Sequence, residues 1–302
     1  MSTRRTFLKN GALTVAGATL FSRPLFALPP ANEITGLQLY SVREAMNADA
    51  KGTLGRLAAM GYKYVEHAGY GNRKFYGYAA ADFKKLLDGL GLKMPSGHTV
   101  LSMHHWDAAK NDFTDEWKNI LEDASAVGMQ YVISPALEDE YRTNYDSLLK
   151  LLDVFNKCGE LCKKSGLTFG YHNHNFEFEN TLNNQKLYDI ILQKTDPALV
   201  VQQLDMGNMF GAGGRALDII KRYPNRFLSM HVKDEIKTDH GEMNGYESTV
   251  LGKGVLPVKQ IIDAGRKNGG TKLFIIEQES YQGKSPIDCV KEDLAVMKKW
   301  GY

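Results

Sequence analysis

Eight short runs with strand character recur along this chain, and longer stretches with helical spacing separate them. The runs are "ITGLQLY", "YKYVEHA", "LKMPSGHTV", "MQYVISPA", "LTFGYHNH", "LVVQQLD", "RFLSMHVKD" and "KLFIIEQE". Among the intervening helical stretches are "KGTLGRLAAM", "AADFKKLLDGL", "NYDSLLKLLDVFNKCGELCKKSG" and "ALDIIKRYP". Gly61, Gly91, Gly128, Gly166 and Pro224 punctuate the joints. Eight strands alternating with helices in about 270 residues are the signature of a (β/α)8 TIM barrel. A doubly wound sheet is the alternative, but no glycine-rich phosphate loop follows the first run.

The start of the chain carries a different message. Arg4 and Arg5 lie in "TRRTFLK", the pattern of a twin-arginine export signal, and an apolar run over 11–21 follows. That run falls short of the roughly 20 residues that span a bilayer. With the small Ala27 beyond it, the segment reads as a removable signal over 1–27, with the barrel over 28–302. The expectation is a periplasmic protein with no stable membrane anchor once the signal is gone. Apolar content of 43% and charged content of 24% suit an ordinary globule, and a net charge of +2 argues against nucleic acid as a partner. Cys158, Cys162 and Cys289 lack the paired spacing of a zinc module and read as buried small apolar residues.

A barrel of this kind builds its site at the C-terminal ends of the strands, so chemistry should gather where each run finishes. Glu66 and His67 end the second run, and His98 ends the third. His172 and His174 end the fifth, with Glu177 just beyond. Asp205 ends the sixth, His231, Lys233 and Asp234 the seventh, and Glu277 and Glu279 the eighth. Two carboxylates and an imidazole from three successive strands suit one divalent ion, whether Mn, Mg, Zn, Fe or Co. The expected metal ligands are Asp205, His231 and Glu277, with His172 favoured over His174 as the fourth. An ion there acidifies the carbon next to a keto group, and a flanking acid or base moves the proton. His172, His174, Glu177, Lys233 and Glu277 are the candidate catalytic set, with Lys233 expected to hold an enolate oxygen. Glu66, His98, Asn208 and Glu279 are the candidate substrate contacts. His104, His105 and His240 are expected in exposed loops. Tyr70 and Trp106 are expected to line either a substrate cleft or a contact between subunits of a homo-oligomer.

These residues resemble the xylose isomerase-like barrels known as sugar phosphate isomerases/epimerases. The likeness runs from "GLQLYSVRE" to "IIEQES" and is carried by "YHNHNFEF", "LDMGN", "HVKD", "LGKG" and "IIEQE". It implies a divalent metal at the barrel mouth and the isomerisation, epimerisation or dehydration of sugars and related polyols. Ketose 3-epimerases of the family place glutamate where this chain has His172, and often histidine where it has Asn208. A histidine-rich fifth strand and the lysine of "HVKD" look closer to the inosose dehydratases. Export argues for a non-phosphorylated sugar or keto-sugar, although Gly252 and Gly254 of "LGKG" offer a weak phosphate cradle. The leading expectation is an isomerase/epimerase working through an enediolate. The alternative is a lyase or hydratase acting on 3-keto-glycosides or their unsaturated products. A non-catalytic carbohydrate-binding barrel comes third.

Overall fold

The structure is a computed structural model that describes residues 33–302 apart from Met243. The expected signal over 1–27 lies outside the described residues. Eight strands form the barrel: β1 (Ile34–Gln38), β2 (Tyr64–His67), β3 (Lys93–His98), β4 (Tyr131–Ser134), β5 (Thr168–His172), β6 (Val200–Asp205), β7 (Ser229–Val232) and β8 (Leu273–Ile276). Each pairs in parallel with its neighbours in sequence, and β8 closes on β1. Every strand falls inside one of the eight runs, and a (β/α)8 TIM barrel is what the chain forms. Its outer layer is α1 (Ala50–Met60), α2 (Ala80–Gly89), α3 (Asp115–Val127), α4 (Tyr145–Lys164), α5 (Leu187–Lys194), α6 (Ala216–Arg222), α7 (Val258–Ala264) and α8 (Pro286–Trp300).

Local chemistry sets the helix ends. Asn144 caps α4 by accepting from the Ser147 amide, while Lys163 and Lys164 face the negative end of its dipole. Ser285 caps α8, Pro286 opens it, and Gly301 ends it at φ 89°. The helices pack on the outward side of the barrel through residues such as Trp117, Phe155 and Phe169, all fully buried. Burying each of these rings contributes about 2–3 kcal/mol. The Trp117 indole N–H points at Cys158 Sγ, 3.2 Å away, and Cys158, Cys162 and Cys289 are all buried free thiols.

Inside the barrel the pattern reverses. Gln38, Glu66, Ser96, Gln203, Ser229 and His231 come from five different strands and hydrogen-bond to one another across the lumen. Period-two alternation sends Leu204, Met230 and Val232 outward to the helices and these polar groups inward. The upper barrel is therefore a polar plug, and the site stands on it.

Candidate metal centre

His172, Asp205, His231 and Glu277 sit on β5, β6, β7 and just past β8, and the closed sheet brings them together. Asp205 and His231 are register partners on adjacent strands. One ligand atom each from Asp205, His231 and Glu277 lies within 4.8 Å of the others. His172 Nε2 is 4.0 Å from Asp205 Oδ2, and His231 Nδ1 is 3.8 Å from the same oxygen. All four residues are buried.

The groups beneath orient each lone pair. Glu66 Oε1 accepts from His231 Nε2 at 2.6 Å, which leaves Nδ1 facing Asp205 and Glu277. Gln203 Oε1 accepts from His172 Nδ1 at 3.0 Å and from His98 Nε2 at 2.7 Å, so the other nitrogen of His172 is free to ligate. Asp205 divides its work. Its Oδ1 accepts the amides of Gly207 and Asn208 and so caps the helix Met206–Gly211, while Oδ2 accepts no hydrogen bond among the described residues. Lys233 Nζ lies 3.0 Å from that Oδ2, out of hydrogen-bond alignment, and also 2.8 Å from Glu277 and 2.7 Å from Glu279.

Electrostatics follow from this packing. Burial alone would raise the Glu66 carboxyl, but His98 and His231 outweigh it and hold the group at about 2. Burial likewise opposes protonation of His231, yet Glu277 and Glu66 lift it to about 10, so in the ion-free protein Nδ1 carries a proton toward Glu277 that a bound ion would displace. Burial raises Asp205 to about 6 against the pull of Lys233. Asp205, Glu277 and Glu279 thus crowd around the Lys233 ammonium, three carboxylates for one cation and an excess of negative charge. Two carboxylates, two oriented imidazoles, one orphaned buried oxygen and that excess fit a divalent ion.

Four expectations are corrected. Glu66 is 0% exposed and spends both oxygens on Gln38, Ser96, Gln203 and His231, so it supports a ligand rather than touching substrate. Glu177 is also fully buried. It accepts from the Tyr171 hydroxyl and the His174 amide, and turns away from the cavity as an anchor for His174. Lys233 is fully buried in ion pairs with Asp205, Glu277 and Glu279 and does not line the cavity, so it stands as a positioning group. His105 is buried, because the loop after β3 folds over the barrel mouth, whereas His104 and His240 are exposed as expected, His104 on the cavity wall.

His98, His172, His174, Asn208, Glu277 and Glu279 line a cavity of about 740 Å³ at the C-terminal ends of the strands, with Tyr70 on its wall. Trp106 packs against Phe113 instead, with ring centroids 4.9 Å apart. Three features escaped the sequence reading. Gln203 and Ser229 lie two residues before Asp205 and His231, so the same alternation that found the ligands also points to them. Glu235 is fully buried beside the site, and neither oxygen has a hydrogen-bond partner among the described residues.

Glycine-rich "LGKG" also has a structural employment. The Asp234 carboxylate accepts the amides of Gly252, Gly254 and Leu256, so an internal anion fills this nest.

Comparisons with known proteins agree with this architecture. A model of the xylose isomerase-like TIM barrel family matches residues 54–300. Inosose dehydratase of Clostridium beijerinckii is 30% identical over 170 residues, 56% of this chain and 55% of that one. Inosose dehydratase of Clostridium perfringens is 28% identical over 158 residues, 48% and 52% of the two chains. The chain spans about half the length of the curated relatives it matches. A crystal structure of a sugar phosphate isomerase/epimerase from Parabacteroides distasonis is 25% identical and superimposes with a TM-score of 0.70, covering 88% of this chain and 98% of that one. The IOLI protein, solved with a zinc atom, has a TM-score of 0.68 at 14% identity, over 88% and 97% of the chains, a likeness of fold alone. Barrel, mouth and match together make this chain a member of the xylose isomerase-like TIM barrel family.

Proposed function

We propose that this protein is a divalent-metal-dependent isomerase or epimerase acting on a non-phosphorylated sugar or keto-sugar through an enediolate. The observation that carries the reading is the meeting of His172, Asp205, His231 and Glu277, of which His172 and Glu277 line a cavity of about 740 Å³. An ion bound by these side chains would polarise a keto oxygen and acidify the neighbouring C–H. His174 faces the same cavity; burial and the nearby Lys233 lower its pKa to about 4, so it is neutral at pH 7. Its Nδ1 has no hydrogen-bond partner among the described residues, which suits a group that accepts a proton from carbon. Glu279, tethered by Lys233, stands on the cavity wall as an acceptor for a sugar hydroxyl.

The filled "LGKG" nest supports a substrate without phosphate. Arg73, the arginine on the cavity wall, is engaged by Glu122 and Asp123. Arg4 and Arg5 support a protein working outside the cytoplasm, and retention of an Arg4→Lys/Arg5→Lys form inside the cell would agree. A second reading uses the same groups for elimination or hydration on a 3-keto-glycoside, and the likeness to inosose dehydratases favours it. Incubation with keto-sugars in D₂O tests both. Deuterium enters carbon in either case, but product mass changes by one water only in the second. Asp205→Ala should lose the ion on dialysis together with deuterium uptake. Full ion content in that variant would sink the centre.

A further inference from the structure

The ion ligands all belong to the β5–β8 half of the barrel, yet the cavity does not stop there. It continues over the loops after β1 to β4, as far as Asn119 and Ile120 on α3. A hexose of about twelve non-hydrogen atoms, at no more than about 30 Å³ each, fills roughly 360 Å³. The cavity is about 740 Å³. One ring held at the ion ligands therefore leaves about half the space empty.

We propose that this second half is a subsite for another neutral ring, so that the preferred substrate is a two-ring glycoside. The inference rests on the function proposed above and deepens it. The distal chamber has polar groups and no unpaired cation; its one open charge is the Glu116 carboxylate, 4.0 Å from His104 Nε2. His105 is buried, and its Nδ1 accepts the Ser102 amide at 3.2 Å, which leaves it a neutral imidazole. His104 Nδ1 pairs with the Ser102 hydroxyl at 2.5 Å. Arg73 is neutralised by its two carboxylates. What remains for a ligand is a set of hydrogen-bonding groups led by Asn119 and Glu116, with a flat platform at the mouth. That platform is Tyr40, 42% exposed, which lines the cavity and stacks with the Arg43 guanidinium 4.6 Å from its ring centre. An aromatic face beside alternating donors and acceptors recognises a polyhydroxylated ring, whereas a carboxylate or phosphate would need an unpaired cation.

The test compares methyl 3-keto-α-glucoside with 3-ketotrehalose, which share the reacting ring and differ in the second one. Ion-loaded protein is incubated with each in D₂O, and solvent deuterium uptake next to the keto group gives kcat/KM. Two added contacts predict a preference of about ten-fold or more for the two-ring compound. Ile120→Trp, which fills the chamber, should erase the preference. Asn119→Ala should reduce it, and covers the case in which the bulky variant fails to fold. Equal kcat/KM for the two compounds, with uptake in both, would overturn the subsite and leave the proposed function standing. A preference that survives both substitutions would also overturn it. Uptake from neither compound would overturn the proposed function, and this inference with it.

Discussion

His231 holds its ring by one nitrogen so that the other can work, and Glu66 is the group that holds it. Replacing that carboxylate with an amide removes the strong acceptor and frees the ring to take either tautomer. Glu66→Gln should therefore weaken divalent-ion affinity by about 10- to 100-fold while the fold persists, as read by metal titration and circular dichroism. Glu177 makes a prediction of opposite character. Burial raises its pKa to about 7 despite the Tyr171 hydroxyl. The folded chain therefore binds this proton more tightly than the unfolded chain, whose carboxyl titrates near 4.5. Below pH 4.5 both states hold the proton and the group contributes no pH dependence. As pH rises towards 7 the unfolded state gains, and stability falls by up to about 3 kcal/mol. Glu177→Gln should lack this decline, so urea midpoints of the two proteins measured from pH 5 to 8 should diverge as pH rises. The cluster of His172, Asp205, His231 and Glu277 was legible because each stands at the end of its own strand. Glu177 was misread because its orientation is settled by Tyr171 and the backbone of His174 rather than by its place beyond the fifth run.

The barrel strands were easy to read since parallel strands buried on both sides give compact apolar runs with polar groups only at their inward positions. The decorations of the mouth were not. Tyr70–Gly71, Lys74–Phe75 and Tyr78–Ala79 form a three-stranded meander of two-residue strands, too short for any period to show. Asp234–Lys237 pairs with Tyr246–Thr249 as a hairpin that begins only at the last residue of the seventh run. The hairpin carries Asp234, whose carboxylate gathers three amides of the following loop. Asp234→Ala should leave those N–H groups without their acceptor and cost about 2–4 kcal/mol. Hydrogen exchange should quicken first at Gly252, Gly254 and Leu256. Unchanged protection there would show that other groups hold the loop.

Across the whole molecule, charge balance at the mouth is the tightest constraint. Lys233 is fully buried and is surrounded by Asp205, Glu277 and Glu279, while Glu66 lies below the same cluster. Lys233→Met should destabilise the ion-free protein by about 3–5 kcal/mol, because it leaves several carboxylates facing one another without their cation. Adding a divalent ion should recover part of that loss as a rise in Tm, since the ion binds only the folded form. A Lys233→Met protein as stable as the parent without any ion would contradict this account. The tethered ammonium also sets an order of assembly. A chain that brings its own counter-charge can close its sheet without a metal, so loading of the proposed ion would be a late exchange of partners inside a finished scaffold. Maturation can then be separated from folding in both time and place.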